Sequence, residues 1–326
     1  MELIRDAEID PAPLAGKRVA ILGFGNQGRA QSLNLKDSEI DVVVGLRGAS
    51  GSASEAEAAG LEIALIEEAV SSADVIMFLA PDEALGGIYK EVEPRIRNGA
   101  AIGFSHGLAI HFGFVEPRAD LDVYMVAPKG PGTALRSLYE QGKGMVGLWA
   151  VAQDASGTTR NLALAYGKAI GCGRAGLIAS TFAEECEADL FNEGAVVWGA
   201  VPEILIAGFE TLVGAGVSPE VAFLECVGEL KLIAELIEAR GLAGMREAIS
   251  NTAELGAVLG GPRVVDEHVR NRMSAILEDV RSGRFAQQLK READSGYPLL
   301  QKARSDARER SIERVFSELQ KLGGTA

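Results

Sequence analysis

Lys17 to Gly23 reads KRVAILG, an apolar, β-branched run of the kind buried on both faces of a parallel sheet. It passes without a linker into Gly23-Phe24-Gly25-Asn26-Gln27-Gly28 and then into the helical stretch RAQSLNLKDS. A GxGxxG held between a strand and a helix constrains the fold more than any other feature of the chain. Its glycines permit a tight turn and let backbone approach a diphosphate, which the helix N-terminus can then hold through its unpaired N–H groups. A nucleotide-binding α/β domain is therefore expected.

The pattern that follows agrees with this start. Apolar runs at Ile40–Leu46, Asp74–Ala80, Ala100–Ser105, Leu121–Ala127, Met145–Ala152 and Arg174–Ile178 alternate with helical patterns. Such alternation predicts a doubly wound parallel sheet that binds its ligands at the carboxyl ends of the strands. The run from Ile40 ends in Gly45-Leu46-Arg47, followed by Gly48-Ala49-Ser50-Gly51-Ser52. An NAD site usually places an acid there for the ribose hydroxyls. Arg47 with the hydroxyls of Ser50 and Ser52 instead suits a 2′-phosphate, so NADPH is expected over NADH. His106 and Lys129 both fall just beyond strand ends. With only three histidines in the chain, His106 is the candidate for chemistry, whereas His111 and His268 have no such placement.

After Thr181 the periodicity is helical only, over 182–214, 219–239, 242–259, 264–282 and about 300–321. A domain boundary is expected there, giving 1–181 and 182–326. The helical part carries two acidic pairs at a spacing of four, Asp189 with Glu193 and Glu225 with Glu229. That spacing puts each pair on one helix face, where like charges repel. Val196 and Val197 continue the first face, and Ala222, Leu232, Ile233 and Leu236 share the second. Carboxylates set into apolar stripes are expected to be buried and to need a partner. Lys231 is the only basic residue between Glu185 and Arg240, and one lysine cannot neutralise four acids. All-oxygen donors with no completing His or Cys point to Mg²⁺ rather than Zn²⁺. The long apolar stretches Ala195–Gly208 and Phe223–Ile237 are too apolar for a single buried face and suggest packing on several sides or against another subunit.

Composition sets the outer limits. The net charge of −14 argues against nucleic acid and anionic membranes as partners. No apolar run reaches about 18 residues, so no membrane span is expected. Glu2, Asp6, Glu8 and Asp10 are the wrong chemistry for a signal or transit peptide. Cys172, Cys186 and Cys226, odd in number and in apolar surroundings, read as reduced core residues of a cytoplasmic protein.

Taken in order, VAILGFGNQGRAQSLNLKDSEIDVVVGLR, PDE at 81–83, SHGLAIHFG, VYMVAPKGPG, AGLIASTFAEECEADLF, GFETLVGAG, ECVGELKLIAELI, GLAGMREAISNTAELG and GPRVVDE resemble the short form of ketol-acid reductoisomerase, from about residue 2 to residue 322. The resemblance implies an N-terminal Rossmann domain and an all-helical, knotted C-terminal domain. It implies a homodimer or higher homo-oligomer whose subunits share each active site. It also implies a reaction: two Mg²⁺ ions bind a 2-hydroxy-3-keto acid (2-acetolactate or 2-aceto-2-hydroxybutyrate), an alkyl group migrates, and NADPH reduces the product to the 2,3-dihydroxy acid of valine and isoleucine biosynthesis. By the same resemblance Asp189 and Glu193 are metal ligands from one subunit, with Glu193 shared by both ions, and Glu225 and Glu229 come from the partner. Ser250 binds substrate, His106 is catalytic, and Lys129 helps move protons. Phe24 to Gln27, Arg47, Ser50, Ser52, Asp82 and Gly132 contact the cofactor.

Several positions depart from the family pattern. GHAHA after the glycine-rich turn is here Gly28-Arg29-Ala30-Gln31-Ser32, and the usual His after KGPG is Thr133. GVP is Gly144-Met145-Val146. GEQAVLCGG is Asn192-Glu193-Gly194-Ala195-Val196-Val197-Trp198-Gly199-Ala200, which adds the bulk of a tryptophan on the metal-bearing helix. None touches a predicted metal ligand or Ser250. A diverged paralogue acting on a related keto acid and a metal-independent NADP-dependent reductase are the competing expectations.

Overall fold

The computed structural model describes residues 2–48 and 51–323. The chain forms two compact units, Met1–Ala188 and Asp189–Ala326, each described separately below. The first ends later than position 181 because the opening turns of the next helix belong to it: Phe182 lies in the core cluster on one sheet face.

In the first unit, in chain order, the elements are β1 Leu3–Ile4, β2 Arg18–Leu22, α1 Asn26–Asp37, β3 Asp41–Leu46, α2 Gly51–Ala58, β4 Glu62–Leu65, α3 Ile66–Ser72, β5 Val75–Phe78, α4 Asp82–Val92, β6 Ala101–Phe104, α5 Leu108–His111, β7 Asp122–Pro128, α6 Gly132–Glu140, β8 Gly147–Gln153, α7 Thr159–Ala169 and β9 Leu177–Ala179. The sheet order is β1-β9-β8-β7-β6-β5-β2-β3-β4. From β4 through β2 and β5 to β7 the pairing is parallel. The predicted all-parallel sheet needs one correction, since β8 runs antiparallel to β7 and β1 antiparallel to β9. The reason is local. After α6 the chain returns to the end of the sheet that it left, pairing Gly147 with Pro128, so no crossover is made. Two elements were not predicted. β1 is only two residues long, and β4 is an edge strand with a mixed sequence, EIAL.

Strand β2 explains why this face of the fold is fixed. Val19, Ala20, Ile21 and Leu22 are all at 0% exposure, and they alternate between the two core clusters that cover the sheet faces. Each fully buried Val, Ile or Leu contributes roughly 1.5–3 kcal/mol. A one-residue slip would exchange the two faces throughout.

The second unit is all helical. Helix α8, Phe182–Ala195, leads into it and is followed by α9 Ala200–Gly214, α10 Pro219–Phe223, a π-helical turn at Leu224–Gly228, α11 Leu230–Ala248, α12 Asn251–Val264, α13 Glu267–Arg281, α14 Arg284–Asp294, α15 Pro298–Glu309 and α16 Ser311–Lys321. The predicted helix 182–214 is broken at 196–199, where a Cβ on Gly199 would stand 1.9 Å from the Gly194 carbonyl oxygen. By length and composition Phe182–Gly214 is long and apolar enough to cross a membrane, contrary to the expectation that no such stretch exists. That break and the carboxylates of Glu193 and Glu203 within it weigh against a span. Backbone at Gly241 is non-helical, with φ 66°, so α11 changes course between the two predicted helices 219–239 and 242–259.

The core of this unit is small. Phe209, Ala222, Phe223, Ile312 and Val315 form its buried cluster. Large apolar side chains remain in solvent in the single chain, among them Trp198 at 67%, Leu232 at 58%, Ile233 at 41% and Leu259 at 63% exposure.

Candidate active site

The glycine-rich turn opens the site. Gly23 has φ +104°, a conformation L side chains rarely adopt, and a Cβ on it would meet backbone of Leu79 and Ala80 at 2.9 Å. A Cβ on Gly28 would lie 2.3 Å from the Gly23 carbonyl oxygen, so α1 can pack onto the turn only with glycine there. Gly25 is the N-cap of α1, has no side-chain capping bond and has open space where a Cβ would project. The first-turn N–H groups of α1 therefore receive no side-chain cap.

The loop after β7 closes one side. A Cβ on Gly132 would fall 2.1 Å from the Asn26 carbonyl oxygen, and Thr133 N–H donates to Asn26 Oδ1 at 2.9 Å. Gln27 Nε2 donates to the Gly130 carbonyl at 2.9 Å. Asn26 and Gln27 thus tie the turn to α6 as well as marking its surface. A cleft of about 250 Å³ lies here, lined by Phe24, Gly25, Asn26, Arg29, Glu55 and Gly132 among others. Arg47, directly after β3, is exposed, and Ser52 is half-buried in the first turn of α2. Ser50 lies outside the described residues.

At the carboxyl ends of β6 and β7 the structure brings His106 and Lys129 together through a residue that the sequence reading passed over, Glu185. Its carboxylate is 1% exposed. Oε2 accepts from Gly107 N–H at 2.8 Å and pairs with His106 Nδ1 at 3.0 Å, while Oε1 accepts from Lys129 Nζ at 3.1 Å. Burial alone would lower the His106 pKa. Hydrogen bonds with Cys186 and Glu185, and the charges of Glu185 and Asp82, outweigh it and raise the value well above that of an ordinary imidazole. Burial pushes Glu185 upward, but the His106 bond and charge, the Lys129 charge and the Gly107 amide together hold it below the usual carboxylate value. At neutral pH the group is an imidazolium and an ammonium sharing one carboxylate, so His106 Nδ1–H donates. Asp82, at the start of α4, faces the same imidazolium electrostatically. A signal for Glu185 was present: it stands four residues before Asp189, on the face that Asp189 and Glu193 continue.

Asp189 is half-buried on α8, and Glu193 is exposed one turn later. Glu225 and Glu229 are also exposed, which corrects the expectation that all four carboxylates are buried. The apolar stripe that suggested burial is itself uncovered in the single chain, as Leu232 and Ile233 illustrate. Glu225 lies within the π-helical turn and Glu229 caps it, rather than both standing on a regular α-helix. Lys231 is 81% exposed and pairs with Glu235 at 3.7 Å. The donor set is still all oxygen, at a spacing of four twice over, which suits Mg²⁺ and not a soft metal. Ser250 is the N-cap of α12, and its Oγ accepts from Ala253 N–H at 3.2 Å, leaving the hydroxyl hydrogen able to donate elsewhere.

Comparison with known proteins gives this arrangement its context. Residues 13–176 match the acetohydroxy acid isomeroreductase, NADPH-binding domain family, and residues 182–323 match the ketol-acid reductoisomerase, C-terminal domain family. The chain is similar to the structure of an NADH-preferring ketol-acid reductoisomerase from an uncultured archean, at 41% identity over 99% of both chains with a TM-score of 0.95. More distant likenesses show the fold alone. One is a semialdehyde dehydrogenase NAD-binding protein from Cupriavidus necator, at 19% identity, TM-score 0.63, over 82% of this chain and 99% of that one. Another is a putative oxidoreductase from Jannaschia sp., at 17% identity, TM-score 0.62, over 81% and 97%. Two family domains in the right order, a nicotinamide-dinucleotide turn and a full-length likeness to an enzyme of the same kind place this chain in the ketol-acid reductoisomerase family.

Proposed function

We propose that the enzyme is a Mg²⁺-dependent, NADPH-using ketol-acid reductoisomerase that converts 2-acetolactate or 2-aceto-2-hydroxybutyrate to the 2,3-dihydroxy acid. The observation that carries the chemistry is Glu185 holding His106 and Lys129 together at the strand ends. Asp189, Glu193, Glu225 and Glu229 would hold two Mg²⁺ ions, which when bound withdraw electron density from the substrate's hydroxyl and carbonyl oxygens. Ser250 Oγ–H is available to bind the substrate. Glu185 keeps His106 protonated, so this group would act as a proton donor: Lys129 Nζ–H can give its proton to a substrate oxygen that gains negative charge as hydride arrives, and solvent then returns one to Nζ. The buried carboxylate fixes both side chains in place.

Arg47 supports NADPH, because a guanidinium reads a 2′-phosphate and no acid follows β3. Glu55 favours the second reading, NADH. Its carboxylate lines the cleft beside the glycine-rich turn and can accept from ribose hydroxyls.

The exposed apolar side chains of the helical unit support self-association, with Glu225 and Glu229 acting in the partner's site. A cavity of about 620 Å³ lined by Ile206, Phe223 and Phe316 adds to the apolar surface that a second copy could cover.

The test is turnover of 2-acetolactate and of 2-aceto-2-hydroxybutyrate by purified protein with NADPH and with NADH, each with and without Mg²⁺. Turnover that needs Mg²⁺ and runs better with NADPH is expected. Undiminished reduction in EDTA would favour a metal-independent reductase.

A further inference from the structure

We propose that Arg29 is a cofactor-binding residue that holds the diphosphate of the dinucleotide through its guanidinium. The proposal rests on the reading of the first unit as a nicotinamide-dinucleotide domain. Arg29 stands one turn into α1, four residues after its N-cap Gly25. Side chains on a helix lean toward its N-terminus, so this guanidinium lies back over the first turn, where a diphosphate meets the uncapped N–H groups. Arg29 lines the cleft together with Phe24, Gly25 and Asn26 on one side and Gly132 and Thr133 on the other.

Charge separates Arg29 from the other arginine of the cleft. Arg136 is committed to Asp37 at 2.7 Å, Glu140 at 2.9 Å and Asn34 Oδ1 at 2.9 Å. Arg29 is exposed and has no ion-pair partner among the described residues. Glu55 lines the same cleft, and the whole chain carries −14, so a ligand with a doubly charged diphosphate meets repulsion on entering. Arg29 is the cation placed to offset it. Arg47 sits at the end of β3, where a 2′-phosphate would lie, so the two arginines divide the phosphates between them.

The division makes the test selective. Wild type, Arg29→Gln and Arg47→Ala are titrated with NADPH and with NADH by nicotinamide fluorescence. Arg29→Gln is expected to weaken both cofactors by the same factor, about ten- to a hundredfold, because both carry the diphosphate. Arg47→Ala is expected to weaken NADPH selectively. Arg29→Lys keeps the charge and is expected to recover most of the lost affinity, which a merely structural role would not predict. Unchanged affinities in Arg29→Gln, or a loss confined to NADPH, overturn the proposal. Wild type that binds neither cofactor overturns it too, but by removing the dinucleotide reading beneath it.

Discussion

Glu185 and His106 meet at 3.0 Å, carboxylate Oε2 to ring Nδ1, with the carboxylate almost wholly out of solvent. The same carboxylate takes Lys129 on its other oxygen, so one buried anion pairs with both side chains at the strand ends.

Glu185→Gln keeps the shape and removes the charge. His106 then loses the charge bonded to its ring and its pKa falls, while the bond from Lys129 meets a neutral oxygen instead of an anion. The expected result is a fall in kcat of roughly ten- to a thousandfold with cofactor affinity unchanged. Ring-proton NMR of His106 checks the cause; an imidazole that titrates as in wild type would sink the argument even if kcat falls.

The same pair predicts a pH signature in stability. The folded pKa of His106 is raised, so its stabilisation is fully present below the unfolded value of about 6.5 and is lost as pH rises through the folded value. Glu185 has the opposite sign. Its lowered pKa gives stability above the unfolded value of about 4.3, lost as pH falls through the folded one. In urea unfolding, the gap between wild type and His106→Asn should be widest near pH 6 and narrow steadily toward pH 10. A gap that widens at alkaline pH would refute the charged pair.

Gly132→Ala puts a methyl 2.1 Å from the Asn26 carbonyl oxygen, and backbone cannot give way as a side chain can. The N-terminus of α6 must move off the glycine-rich turn and lose the Thr133–Asn26 bond. A destabilisation of about 1–3 kcal/mol is expected, with weaker binding of both nicotinamide cofactors. Thermal unfolding and cofactor titration together check it, and a variant that binds normally at full stability rules it out.

If Glu225 and Glu229 serve the partner's site, inactive variants should rescue one another. Glu193→Gln and Glu229→Gln, unfolded together and refolded as a mixture, should regain about a quarter of wild-type activity at random pairing with two sites per dimer. No recovery from verified mixed dimers would favour a site within one chain.

How much of this could be read in advance differs between the two units. In the first, KRVAILG and the glycine-rich turn determined the strand, the turn and the helix, because burial on both faces and a close backbone approach each demand particular residues. The antiparallel turn-back at β8 was not legible, since apolar alternation carries no strand direction. Glu185 was passed over because the acidic pairs at a spacing of four drew the reading to Asp189 and Glu193, and only the fold brings Gly107 and Lys129 onto Glu185. In the second unit the apolar stripes were real, but burial did not follow from them: Leu232 and Ile233 are exposed, and so are Glu193, Glu225 and Glu229.

The π-helical turn at Leu224–Gly228 has a bearing on how this chain can change. Such a turn is an α-helix with one residue too many, accommodated by a local widening. Deleting one residue there would let the helix close into regular form and gain ordinary hydrogen bonds. It would also bring Glu225 and Glu229 from a spacing of four residues to a spacing of three, about 60° apart around a regular helix. Point substitutions in this segment are open to drift, but its length is not: a frame-preserving loss of a single codon would leave both glutamates in the sequence and change the spacing at which they present their carboxylates.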